Sequence, residues 1–396
     1  MLRVFAVYLL FAFHSAKVYD PTPWYHVWSP DLIPGIQRFT GFVHLWHMPL
    51  LFLLAGWSLV ASVRTRGGGA FVRERWQRLG IPLLFGCVVL CPVIKYLELR
   101  SGVSIGARGV GASAALQAAH GSLQLRPLPV AAPFDESFLA FLPSFYTSLD
   151  RFTWSHLWFV VYLLAFTLLY WPLLRRVLAR DARPLTHTGV WPWAPLAPLV
   201  LGEIWLRPDW PGVQNLIGDW ANFAKYSLYL WAGVAMARHP EVEARAHAQW
   251  QAALGIGLAL VAGLLWMETH GGATALPPLA GRIVRYGVPA AAGWCFVVAL
   301  LGAAASRVHR GGPLLEFLSE SAMPIYILHQ LGVVLAAFSL DPLPLPVGVR
   351  LMLVFGASLG GTVVFYATVV RPFAPLRAAF GLKPRRALQL RIPGAS

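Results

Sequence analysis

The feature that most limits this chain is a recurrence of apolar stretches, nearly free of charge, from the first residue to about residue 370. A helix needs about 20 apolar residues to cross the hydrocarbon core of a bilayer. Stretches of about that length run over 1–16, 42–63, 79–97, 156–174, 189–206, 216–236, 250–267, 283–304, 314–340 and 346–370. The composition agrees, with 57% hydrophobic residues and 12% charged, where soluble domains carry about 25% charged. The fold expected is an all-α polytopic membrane helix bundle of about ten transmembrane helices. The two weakest spans are the fifth, rich in proline and holding Glu203, and the sixth, holding Asp219 and Lys225.

A net charge of +15 would suit a nucleic-acid binder, but 17 tryptophans and the apolar runs speak for a bilayer partner and no nucleic acid. With the N-terminus inside, twenty of the 32 basic residues fall on the inner side, nine on the outer side, and three within spans. That bias favours an even number of spans with both termini in the cytoplasm. The first span follows Met1 without a small-residue cleavage site, so it reads as retained rather than as a signal peptide. Residues 1–370 form one membrane unit and 371–396 a basic tail. The outer loop 98–155 is Gly- and Ala-rich at first, then mixes aromatics and charges over 134–154. The second part suits a short interfacial helix, either a plain connector or a lid. Cys87, Cys91 and Cys295 sit in apolar runs and read as packing residues.

Ionisable groups inside spans are costly, so each is a candidate for function. Arg3 and His14 are eleven residues apart, which places them within roughly 20° of one helix face and about 16 Å apart along its axis. On spacing alone, Arg3 as a charged flank and His14 as a packed histidine are the simpler account. His44 and His47 stand three apart and share a face, but no further ligand nearby completes a zinc site, so hydrogen bonding is the better reading and no metal is expected. Arg73, Arg75 and Arg78 either mark the inner boundary or hold an anionic cofactor's phosphates. His156 opens the fourth span. Tyr326 and His329 form a polar stripe one turn long, serving chemistry or interhelical hydrogen bonds.

These segments, taken in order, resemble the acyltransferase 3 family, in particular its branch that succinylates periplasmic glucans. The resemblance rests on Arg3…His14, His44…His47-Met48-Pro49 with Gly56, and Arg75…Arg78-Leu79-Gly80-Ile81-Pro82. It continues with His156-Leu157-Trp158-Phe159, with Trp220-Ala221-Asn222-Phe223 leading to Gly233, and with Tyr326…His329. It implies an O-acyltransferase of a bacterial-type inner membrane. The donor would be cytoplasmic acyl-CoA (acetyl or succinyl), a substrate rather than a permanently bound cofactor, and the acceptor a hydroxyl of an extracytoplasmic carbohydrate. On that reading Arg73, Arg75 and Arg78, with Arg3, take the CoA phosphates. His14 acts as general base, and His47, Tyr326, His329 and His156 support it. A secondary transporter is the competing class, since intramembrane charges suit one too. No inverted repeat is visible, however, and Arg3 lies at a span end.

Overall fold

The computed structural model describes residues 1–21, 25–104, 128–129, 134–149, 151–180, 190–270, 276–307 and 311–384. The Gly- and Ala-rich part of the long loop and the end of the basic tail lie outside the described residues. So do the basic residues Arg108, Arg126, Arg183 and Arg310. The described chain is all-α, apart from a two-residue antiparallel pairing of Val103–Ser104 with Leu128–Pro129.

The helices are α1 (Leu2–Val18), α2 (Ile36–Thr65), α3 (Gly68–Arg100), α4 (Phe138–Thr147) and α5 (Ser155–Ala179). They continue with α6 (Leu196–Leu206), α7 (Trp220–Arg238), α8 (Pro240–Ala248), α9 (Trp250–Thr269) and α10 (Pro278–Ser306). The last are α11 (Pro313–Leu340), α12 (Val347–Val370) and α13 (Ala374–Ala379).

Each of the ten expected spans is a helix, and seven are long and apolar enough to cross a membrane: α2, α3, α5, α9, α10, α11 and α12. The other three fall short for visible reasons. Helix α1 has 17 residues. Helix α6 has only 11, because Pro192 and Pro195 hold the segment before it out of the α-helix. Helix α7 carries Lys225 and three tyrosine or serine hydroxyls on a 19-residue length. Within 134–154, where the sequence suits a short interfacial helix, α4 forms.

Helix α2 sits at the centre, packed on α7, α10 and α1, while α11 packs on α1, α12 and α3. Helix α9 lies at the edge against α10. Only 11% of its apolar window is buried, and 28% of that of α12. Apolar faces this open need an apolar surround, which a bilayer provides.

Glycine and proline set the close contacts. A Cβ on Gly56 of α2 would stand 1.9 Å from the Leu230 carbonyl oxygen, and one on Gly233 of α7 1.9 Å from that of Leu53. The two backbones therefore touch. Pro49 lacks the N–H that would bond the Leu45 carbonyl four residues back, and Gly293 of α10 packs directly over that oxygen. Pro92 likewise frees the Val88 carbonyl, which accepts a 2.6 Å hydrogen bond from the Tyr146 hydroxyl of α4.

Candidate active site

A cavity of about 970 Å³ opens between α1, α2, α7, α9, α10 and α11. His14, His47, His156, Tyr326 and His329 all line it. The sequence-predicted histidines and tyrosine, drawn from four helices, thus converge.

The imidazoles are set by backbone carbonyls. His47 Nε2 donates to the Ala6 carbonyl at 2.6 Å, which ties α2 to α1. His156 Nε2 donates to the Ile327 carbonyl at 2.9 Å. The Tyr326 hydroxyl returns a hydrogen bond to the His156 carbonyl. The start of α5 is therefore locked to α11 by two bonds in opposite directions. His329 Nδ1 donates to the Tyr326 carbonyl at 2.5 Å. With that nitrogen carrying the hydrogen, Nε2 holds the lone pair, and it is buried without a hydrogen-bond partner among the described residues.

His14 is half-buried, its ring stacked on Tyr25 at 5.4 Å between centroids and edge-on to Phe13 at 4.9 Å. The His14 and His329 rings are 5.2 Å apart, and those of His156 and His329 5.0 Å. Three imidazoles therefore surround one end of the cavity, with His329 in the middle.

A charged cluster forms the wall by α6 and α7. Arg207 grips Glu203 through two hydrogen bonds of 2.8 and 2.6 Å and donates to Asn222 at 2.9 Å. Lys225 Nζ stands 3.7 Å from the same carboxylate. Asn222 donates to Asp219, which also accepts from the Tyr162 hydroxyl at 2.6 Å and the Gln214 amide at 2.9 Å. In the sequence Glu203, Asp219 and Lys225 appear only as charges weakening two spans. Their spacing does not announce a cluster, because it joins three helices and a loop.

The arginines lie elsewhere. Arg3, Arg73, Arg75 and Arg78 do not line the cavity. Arg3 is exposed, its Nη2 3.5 Å from the Ser319 carbonyl. Arg75 is engaged by Glu74 at 2.6 Å and by the Ser62 hydroxyl at 2.8 Å. Arg78 reaches Glu74 at 3.3 Å from an exposed position, and Arg73 is exposed. Nearby in the chain order of α11, Glu320 is held between Arg371 and Arg377 at 3.1 and 2.9 Å. Among the described residues, no group of three His, Cys, Asp or Glu side chains is arranged to hold a metal ion. A buried cluster that no motif in the sequence marks adjoins the cavity: Lys95, Glu98, His26 and Ser155.

No characterised protein and no solved structure matches the chain. A sequence model of an acyltransferase domain, Acyl_transf_3, matches residues 1–369. With that match spanning nearly the whole chain and seven helices fit to cross a membrane, the chain belongs to the acyltransferase 3 family and is a membrane acyltransferase.

Proposed function

We propose that the protein moves an acetyl or succinyl group from cytoplasmic acyl-CoA to a hydroxyl of an extracytoplasmic carbohydrate. It does so in a bacterial-type inner membrane with both termini in the cytoplasm. The observation that carries the reading is the pairing of His14 with His329 at the end of a cavity large enough for a sugar. His14 takes the proton of the acceptor hydroxyl as its oxygen attacks the acyl carbonyl. The lone pair on His329 Nε2 then accepts a hydrogen bond from protonated His14. Its Nδ1–H is already committed to the Tyr326 carbonyl, so the tautomer is fixed in advance. Tyr326 and His156 tie α5 to α11, and His47 ties α2 to α1, around this pair. Arg73, Arg78 and Arg3, exposed at the far end of α1 and α3, take the CoA phosphates, and Arg75 braces Glu74 between them. A glucan is the acceptor that the resemblance suggests.

The test uses membrane vesicles supplied with radiolabelled acetyl-CoA or succinyl-CoA, followed by measurement of label in envelope glycans. Wild-type protein transfers label, and His14→Ala inserts normally without transferring it. Full transfer by His14→Ala would remove that residue as the base. Uptake of a solute with no acylation would favour a secondary transporter instead.

A further inference from the structure

Behind the cavity wall stands a constellation that the mechanism above leaves unused. Ser155 opens α5, and its hydroxyl lies 2.9 Å from His26 Nε2. The other ring nitrogen, Nδ1, lies 2.5 Å from Glu98 Oε2. Glu98 Oε1 accepts from Lys95 Nζ at 2.5 Å. All four side chains are buried. A carboxylate only accepts, so Nδ1 carries the hydrogen and Nε2 presents its lone pair to the Ser155 hydroxyl. Serine to imidazole to carboxylate is the arrangement that activates a hydroxyl as a nucleophile, whatever the fold around it. Lys95 lies against that carboxylate as a counter-charge.

Two further observations point the same way. Ser155 has φ of +46°, a left-handed conformation that a side chain rarely adopts. Strained serines at the entrance of a helix are the form nucleophiles take in another large class of acyl-transfer enzymes. The backbone N–H that follows stands at the N-terminal end of α5, where the helix dipole favours a developing oxyanion. The set also adjoins the cavity on both flanks. Tyr25, next to His26, and His156, next to Ser155, line it, and the Tyr25 ring contacts both His14 and His26.

We propose that Ser155, activated by His26 and Glu98, takes the acyl group as a serine ester before it passes to the acceptor, a step that rests on the acyl-transfer reading above. The Ser155 oxygen attacks the thioester carbonyl, its proton goes to His26 Nε2, and the carbon–sulfur bond breaks to release the CoA thiolate. The acceptor hydroxyl then attacks the ester and gives its proton to His14. The Ser155 oxygen leaves and recovers its proton from His26, and the thiolate receives the proton that His14 sheds. Ser155 is 1% exposed, so the acyl group reaches it from the cavity, past Tyr25 and His156.

The test is a fluorophosphonate probe applied to the purified full chain, with peptide mass mapping, run beside acyl transfer from radiolabelled acetyl-CoA and succinyl-CoA. The informative variant is Ser155→Gly. Glycine accepts a positive φ freely, so this change removes the hydroxyl while relaxing the backbone. The expected result is probe on Ser155 in wild type, none in Ser155→Gly, and slower labelling in His26→Gln and Glu98→Gln. Acyl transfer by Ser155→Gly should fall by about three orders of magnitude. An unlabelled Ser155 together with wild-type transfer by Ser155→Gly would overturn the proposal and leave the cluster a structural brace. Labelled Ser155 with no transfer from either CoA ester would support the activated serine and sink the acyl-CoA reading instead.

Discussion

The imidazole of His14 on α1 lies 5.2 Å, centroid to centroid, from that of His329 on α11, although 315 positions separate them in the chain. His329 is fully buried and its Nδ1 is tied to the Tyr326 carbonyl, so only Nε2 remains to meet a protonated His14. His329→Ala should therefore lower acyl transfer by about 10- to 100-fold, with the fall in kcat rather than in KM. Steady-state kinetics in vesicles checks this. A change confined to KM would make His329 a binding residue.

Gly56 and Gly233 interlock α2 and α7, each facing a carbonyl oxygen 1.9 Å from where a Cβ would stand. No rotamer relieves a clash between a Cβ and backbone, so the helices must separate. Gly56→Ala and Gly233→Ala should each cost about 1–3 kcal/mol or more, read as a lower midpoint in detergent thermal unfolding. Gly255→Ala on α9, where nothing lies within 4 Å, is the matched control and should be neutral or slightly stabilising.

The Val88 carbonyl owes its availability to Pro92 and gives it to Tyr146 at 2.6 Å. Tyr146→Phe should cost about 0.5–1.5 kcal/mol in the wild-type background. In Pro92→Ala the restored N–H at position 92 takes the same carbonyl, and removal of the tyrosine hydroxyl should then cost less. A double-mutant cycle in unfolding free energy measures the coupling; strict additivity would mean the two groups do not share the oxygen.

Outside the membrane spans, Arg151 donates two hydrogen bonds of 3.0 Å to Glu136. The hydrogen bonding holds the Glu136 carboxyl below the 4.5 of a free glutamate. A depressed carboxylate adds stability above that free value and loses it as pH falls through the lowered one. Hydrogen exchange over α4 should therefore be slower in wild type than in Glu136→Gln at pH 7, and the difference should shrink as the pH is lowered below the free-glutamate range. Equal protection of the two proteins at pH 7 would show that the pair does not hold the loop.

The ten helical segments were legible, seven of them long and apolar enough to cross a membrane, because bilayer thickness imposes a length that apolar runs reveal directly. The seams were partly legible. Gly56 and Gly233 stand out as small residues in apolar helices, yet that each faces the other's helix depends on how α2 and α7 dock. The histidines carried a family pattern, and all of them line one cavity. The serine cluster was not legible. His26 and Ser155 fall in connections between spans, 129 residues apart, and Lys95 and Glu98 look like the polar end of a helix.

What the sequence determined by itself was the solvent, the helical class and the residues with chemistry to offer, because hydropathy and ionisability are local properties of side chains. Which of those residues meet was decided only by tertiary structure. Carbonyls freed or approached at Leu45, Val88, Ala6 and Ile327 set helix registers. Register decides whether His14 faces His329 or lipid, and no residue carries that information alone.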